Sequence, residues 1–196
     1  MGSAPFNEAT IEDAALEWLA QLGFASIHGL SIAPDLDNPA RERQSYDDVL
    51  LVDRLRLALQ RINPTQPSAN IDDAIWQITQ IAQPSLERAN QTFHQMLVEG
   101  VPVATLDRGE ESSETVRLID FANPTNNEFL AVNQFTIIHD GRNRRQDVLI
   151  FINGLPIAIF EFKNLADAQA TLDKAWNQLR TYQNDIRPLF IYNELQ

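Results

Sequence analysis

The chain has 196 residues, of which 44% are apolar and 21% charged, enough for one α/β domain with a buried core. It has no cysteine, which excludes disulfides, thiolate nucleophiles and zinc–sulfur sites and fits a reducing, cytoplasmic setting. The net charge of −12 argues against a surface that grips nucleic acid all over, and no stretch reaches the roughly 18–20 apolar residues of a membrane span, so no membrane partner is expected.

The N-terminus has neither the basic nor the apolar part of a signal peptide. Thr10 and Asp13 with Ile11, Ala14, Ala15, Trp18, Leu19 and Leu22 predict a capped helix ending at Gly23. Ile11, Ala15, Trp18 and Leu22 share its apolar face. A short strand near Phe24–His28 and a loop over 31–45 follow. Tyr46–Ile62 reads as a helix stopped by Asn63-Pro64, Asn70–Ile81 as a second, and Pro84–Glu99 as a third that ends at Gly100. These three look like an insertion after the first helix and strand. The period then changes to two. Val101–Leu106, Thr115–Phe121, Phe129–His139, Asp147–Ile152 and Leu155–Lys163 read as strands, the last two joined at the hairpin signal Asn153-Gly154. Ala168–Asn184 predicts a helix and Pro188–Tyr192 a last strand. The chain divides into one domain over 1–196, its core at about 8–30 and 101–196 and its helical insertion at about 31–100.

Chemistry concentrates between Asp147 and Lys163. Glu161 and Lys163 alternate with Phe160 and Phe162, so both point to one face of a strand end that is otherwise apolar. A carboxylate and an ammonium there cost desolvation unless paired or bound to a metal. Hard oxygen ligands suit Mg²⁺, and the fitting reaction is in-line attack of water on a phosphodiester. Lys163 would orient or deprotonate that water, or neutralise charge on the phosphate. Asp147 and Glu161 must then share a face. A strict two-residue turn at Asn153-Gly154 sets Asp147 against Phe160 and turns the carboxylates apart, so the expectation is a three-residue loop with Gly154 left-handed in a bulge.

Several segments, in order along most of the chain, carry a resemblance to a known family. They are Tyr46-Asp-Asp-Val-Leu-Leu-Val-Asp-Arg-Leu-Arg56 with Ile62-Asn-Pro64, Phe93-His-Gln-Met-Leu-Val-Glu-Gly-Val-Pro-Val103, and Asp120-Phe-Ala-Asn-Pro-Thr-Asn-Asn-Glu-Phe-Leu-Ala-Val-Asn-Gln-Phe135. Arg144-Arg-Gln-Asp147, Asn153-Gly-Leu-Pro156 and Glu161-Phe-Lys-Asn164 complete the set. The chain resembles the N-terminal nuclease domain of the restriction (R) subunit of type I restriction enzymes, within the PD-(D/E)xK nuclease superfamily.

The resemblance implies a restriction-endonuclease-like mixed β-sheet flanked by helices, with the helical insertion after the first helix and strand. It implies Mg²⁺, with Mn²⁺ as substitute, held by Asp147, Glu161 and the Phe162 carbonyl, and Lys163 as the catalytic lysine. It matches a Gln-x-x-x-Tyr element to Gln178 and Tyr182, which share a helix face. It also implies a glutamate on the first helix, Glu12 being the best candidate and Glu8 and Glu17 its rivals. Partners would be double-stranded DNA and the methyltransferase (M) and specificity (S) subunits. Gln146 stands where the superfamily name has proline. There is no Gly-x-x-x-x-Gly-Lys-Ser/Thr phosphate loop, so the ATP-driven motor expected of a full subunit is absent and the chain reads as an N-terminal fragment.

Residues 141–190 hold seven Lys/Arg against five Asp/Glu, whereas residues 1–140 hold eight against 21. DNA should therefore meet the C-terminal third, where Arg142, Arg144 and Arg145 either bind phosphate or form a solvated hairpin shoulder. So small an excess is a weak clamp, and poor cleavage by the fragment alone is expected. Trp176 reads as core rather than as a base-stacking platform. His28, His94 and His139 have no partner spacing. Asn123, Asn126, Asn127 and Asn133 read as satisfying turn backbone, with contact to DNA the alternative. The alternative function is a non-catalytic assembly domain that docks on the methyltransferase partners through the acidic helices.

Overall fold

The computed structural model describes residues 8–35, 37–107, 110–162 and 172–195. The α/β class holds. Four strands form one mixed sheet in the order β1-β4-β5-β6: β1 (Ala25–His28), β4 (Phe129–His139), β5 (Arg142–Ile152) and β6 (Leu155–Phe160). β1 runs parallel to β4, and the other pairs are antiparallel. This architecture is compatible with a restriction-endonuclease-like fold.

Helix α1 (Glu8–Gln21) covers one face, packing Leu16, Leu19 and the following Phe24 on Ala131, Val148, Ile150 and Ala158. Its apolar face is rotated from the expected one: Trp18 and Leu22 are 68% and 75% exposed. The helix is apolar on most sides, so periodicity does not select the buried stripe. The small side chains Ala131 and Ala158 do, by leaving room for two leucines.

The other face carries the larger core. Leu130, Val132, Phe135, Leu149, Phe151 and Ile159 pack there with residues of α2 (Val52–Ile62), α4 (Leu86–Glu99), α5 (Leu172–Asp185) and α6 (Arg187–Tyr192). Helix α3 (Ser68–Thr79) lies against a separate two-stranded sheet of β2 (Val101–Asp107) and β3 (Glu110–Val116), which Gln77 ties to the helix by donating to the Pro102 carbonyl at 2.9 Å. The segment between β1 and β4 thus contains a hairpin as well as the three helices.

The strand expected over Thr115–Phe121 lies instead over Glu110–Val116, with 117–121 outside any strand. Two further elements differ from expectation for identifiable reasons. Helix α2 starts at Val52, not Tyr46. The buried Arg43 guanidinium donates to the carbonyls of Tyr46, Asp48 and Thr136 at 2.7, 2.7 and 2.8 Å, and Ile138 N–H also donates to Tyr46. Carbonyls engaged this way cannot serve a helix. Burial lowers the Arg43 pKa to about 10, so it stays charged at neutral pH, lying 4.0 Å from the centre of the Phe135 ring. The predicted strand Pro188–Tyr192 is helix α6, whose Pro188 sits in its first turn and whose Tyr192 packs edge-on against Phe93 at 5.2 Å. Short apolar runs read equally as strand or helix. The pairing with β6 falls to the residues just beyond, where Leu195 bridges Ala158 in parallel.

Candidate active site

The β5–β6 hairpin corrects the expected loop. Ile152 pairs directly with Leu155, so the turn has two residues, Asn153 (φ 54) and Gly154 (φ 80), both left-handed. The extra residue lies instead within β6. Phe151 pairs with Pro156 and Ile150 with Ala158, leaving Ile157 between them. Proline offers no N–H to the ladder, and the Ile157 carbonyl accepts from Glu194 and Leu195 N–H at 2.8 and 3.1 Å. The bulge therefore forms where the C-terminal segment takes over a ladder carbonyl. From there Val148 pairs with Phe160, and the same register one step on sets Asp147 opposite Glu161.

The turn itself is buried. Asn153 donates to the Leu118 carbonyl and to Asn127 Oδ1, both at 2.9 Å, and accepts from Glu128 N–H at 2.8 Å. Asn127 in turn closes the 120–127 loop on the Asp120 and Pro124 carbonyls. Gly154 carbonyl accepts from Leu51 N–H at 3.0 Å, at the start of α2. The distinctive asparagines thus hold the hairpin in place.

At the open end, the Phe162 N–H donates to Asp147 Oδ2 at 2.7 Å. Gln178 Nε2 donates to Glu161 Oε2 at 2.8 Å and to the Tyr182 hydroxyl at 2.6 Å. Burial, and then the charge of Glu161, push the Tyr182 pKa upward. Asp147, Glu161, Gln178 and Tyr182 are brought together. Phe162 packs into the cluster beneath α1, while Tyr182 belongs to the core on the other face. Lys163 lies outside the described residues, as does the side chain of Glu8.

Glu12 arrives from the α1 side. Its carboxylate accepts from Asn133 Nδ2 at 2.8 Å and Gln134 Nε2 at 2.6 Å. Gln134 (φ 54) lies between the pairs Asn133–Val148 and Phe135–Gln146, alongside Asp147. Glu12 therefore borders the Asp147 stretch. Among the described residues no three acidic or histidine side chains gather closely enough to hold one ion. Glu17 is exposed on α1. Sequence reasoning missed Gln134, and Asn133 serves Glu12 rather than a turn. The signal was available: two amides interrupt an apolar strand at Leu130-Ala-Val-Asn-Gln-Phe135.

The arginines divide. Arg144 donates through Nε and Nη2 to Asp185 Oδ2 at 2.9 and 2.5 Å. Arg142 and Arg145 are exposed, Arg142 with its Nε 4.0 Å from Asp185 Oδ1. Trp176 is 57% exposed, against the core assignment. No helix among the described residues is long and apolar enough to cross a membrane.

Residues 5–196 match the family described as type I restriction enzyme R protein N terminus. The chain is 36% identical over 197 residues to the putative type I restriction enzyme MjaIXP endonuclease subunit of Methanocaldococcus jannaschii, which covers 98% of this chain and 18% of that protein. It is 37% identical over 193 residues to the type I restriction enzyme HindI endonuclease subunit of Haemophilus influenzae, covering 96% and 18%. The chain thus spans less than a fifth of the length of these relatives.

Proposed function

Because this chain belongs to the type I restriction enzyme R protein N-terminus family, we propose that it is the endonuclease domain of such a subunit and hydrolyses double-stranded DNA with Mg²⁺. The observation that carries the reading is the pair of contacts just beyond the Val148–Phe160 pair, where Gln178 donates to Glu161 and Phe162 N–H donates to Asp147. These two carboxylates are the donors that the resemblance to the PD-(D/E)xK superfamily implies.

The donor set fits the ion. Mg²⁺ takes one or two carboxylates and keeps several waters, and Asp147, Glu161 and the Phe162 carbonyl would supply hard oxygens. When bound, the metal would stabilise charge on the phosphate and sharpen a water for in-line attack. Lys163, next after Phe162, would orient that water or take its proton. Gln178 fixes one Glu161 oxygen and Tyr182 steadies Gln178, so the carboxylate is presented in one orientation. Glu12 would accept hydrogen bonds from waters beside Asp147. Arg142 and Arg145 would meet DNA phosphates.

Recognition of a DNA sequence would fall to specificity and methyltransferase subunits, and ATP would be used elsewhere in the whole R subunit. The test is substitution of Asp147, Glu161 and Lys163 by Ala, one at a time. Each should abolish Mg²⁺-dependent cleavage by the assembled enzyme, and the two carboxylate variants should also lose Mn²⁺ binding in calorimetry, with circular dichroism unchanged. Cleavage that survives all three changes would replace the nuclease reading with that of an assembly domain.

A further inference from the structure

Resting on the nuclease reading, we infer that Arg144 and Asp185 are a positioning pair for Glu161. The contacts form a closed circuit. Arg144 on β5 grips Asp185 at the last position of α5, with two donors on one oxygen. The Arg144 guanidinium carbon lies 5.7 Å from the centre of the Tyr182 ring. Tyr182 accepts from Gln178, and Gln178 donates to Glu161. The Val148–Phe160 register, carried one step on, sets Glu161 opposite Asp147, which lies three residues beyond Arg144 on β5.

The helix geometry gives the pair its leverage. Gln178, Tyr182 and Asp185 are spaced by four and three residues, so they lie along one face of α5. A single hydrogen bond from Gln178 leaves a helix free to roll. A second anchor seven residues away, roughly 10 Å at 1.5 Å per residue, fixes the roll and therefore the direction of the Gln178 amide. Asp185 opposes the helix dipole at a C-terminus, which disfavours a carboxylate there by itself. The half-buried Arg144 offsets that and supplies the positive charge the terminus prefers. Arg142, whose Nε is 4.0 Å from Asp185 Oδ1, is 67% exposed and open to a phosphate, whereas Arg144 is only 34% exposed. This one is committed to a carboxylate that is only 14% exposed.

The experiment uses the intact chain with Asp185→Asn and Arg144→Gln, reading Mn²⁺ affinity by calorimetry and DNA affinity in metal-free buffer. Both variants should weaken Mn²⁺ binding by roughly 10-fold, the size typical of outer-shell partners of a metal site. Asp185→Asn should leave DNA affinity unchanged, and Asp185→Glu should recover most of the Mn²⁺ affinity. Arg144→Lys, which keeps the charge but not the fork, serves if Arg144→Gln does not fold, and should bind Mn²⁺ at an intermediate level. Tighter DNA binding by Asp185→Asn with wild-type Mn²⁺ affinity overturns the inference and makes Arg144 a phosphate contact masked by Asp185. Glu161→Ala separates the two levels. If it abolishes Mn²⁺ binding while the pair variants bind normally, only the positioning role is lost. If it leaves Mn²⁺ binding intact, the metal-site reading fails and the positioning role with it.

Discussion

The register that sets Asp147 opposite Glu161, one step beyond the Val148–Phe160 pair, exists only because Ile157 is inserted into β6 between the residues that pair with Phe151 and Ile150. With a two-residue turn and no bulge, Asp147 would face Phe160 and Glu161 would point to the other side. Deleting Ile157 should therefore leave a folded hairpin with its apolar residues shifted by one, lower stability, and no Mn²⁺ site. Calorimetry and thermal melting read both effects. A deletion variant that folds and still binds Mn²⁺ as wild type does would show that the facing of the two carboxylates is immaterial.

The turn that starts β6 tolerates no side chain at Gly154. Its φ is +80°, and a Cβ there would lie 2.5 Å from the Leu51 carbonyl oxygen and 2.8 Å from Leu55 nitrogen, both backbone atoms at the start of α2. Left-handed backbone and overpacking together put Gly154→Ala at about 3 kcal/mol of lost stability. Urea denaturation checks this. A loss under about 1 kcal/mol would mean that α2 moves away freely from the hairpin.

Much of this arrangement is legible before any coordinates. The alternation in Phe129–His139 marks β4 to the residue, and Asn153-Gly154 marks the hairpin. Asp147, Glu161, Gln178 and Tyr182 could be singled out by spacing and by resemblance, and they meet. What escapes is set by partners distant in sequence. The Ile157 bulge depends on Glu194 and Leu195 amides, which no local pattern around Pro156 reveals. The start of α2 depends on Arg43 taking its carbonyls, and the buried face of α1 on alanines in β4 and β6. Arg144 was readable as a cation beside the site, but its commitment to Asp185, 41 residues on, was not.

Alkaline pH should destabilise the fold through Tyr192. Burial raises its pKa from 10.0 to about 12, and its hydroxyl donates to the Ile78 carbonyl at 3.1 Å. Between these values the unfolded chain has lost the phenolic proton and the folded chain has kept it. Stability therefore falls as pH rises through the window, by up to about 3 kcal/mol. Tyr192→Phe should lose about 1 kcal/mol at pH 8 through the unmet carbonyl and show a flatter decline to pH 11. Urea midpoints at the two pH values give the comparison. Parallel declines in both proteins would assign the alkaline loss to other groups.

Gln134 holds a left-handed backbone (φ 54) in the middle of β4, where the penalty for a side chain is roughly 1–2 kcal/mol. The return is that two consecutive amides, which would normally project to opposite faces, both reach the Glu12 carboxylate. Gln134→Gly removes one amide but relieves the backbone, and the two effects largely cancel, leaving stability within about 1 kcal/mol of wild type. Gln134→Val removes the amide and adds a β-branched side chain that resists positive φ, so it should cost about 3 kcal/mol. Denaturant titrations of the two variants separate backbone from side chain. Equal losses would place the whole effect in the hydrogen bond to Glu12 and none in the backbone.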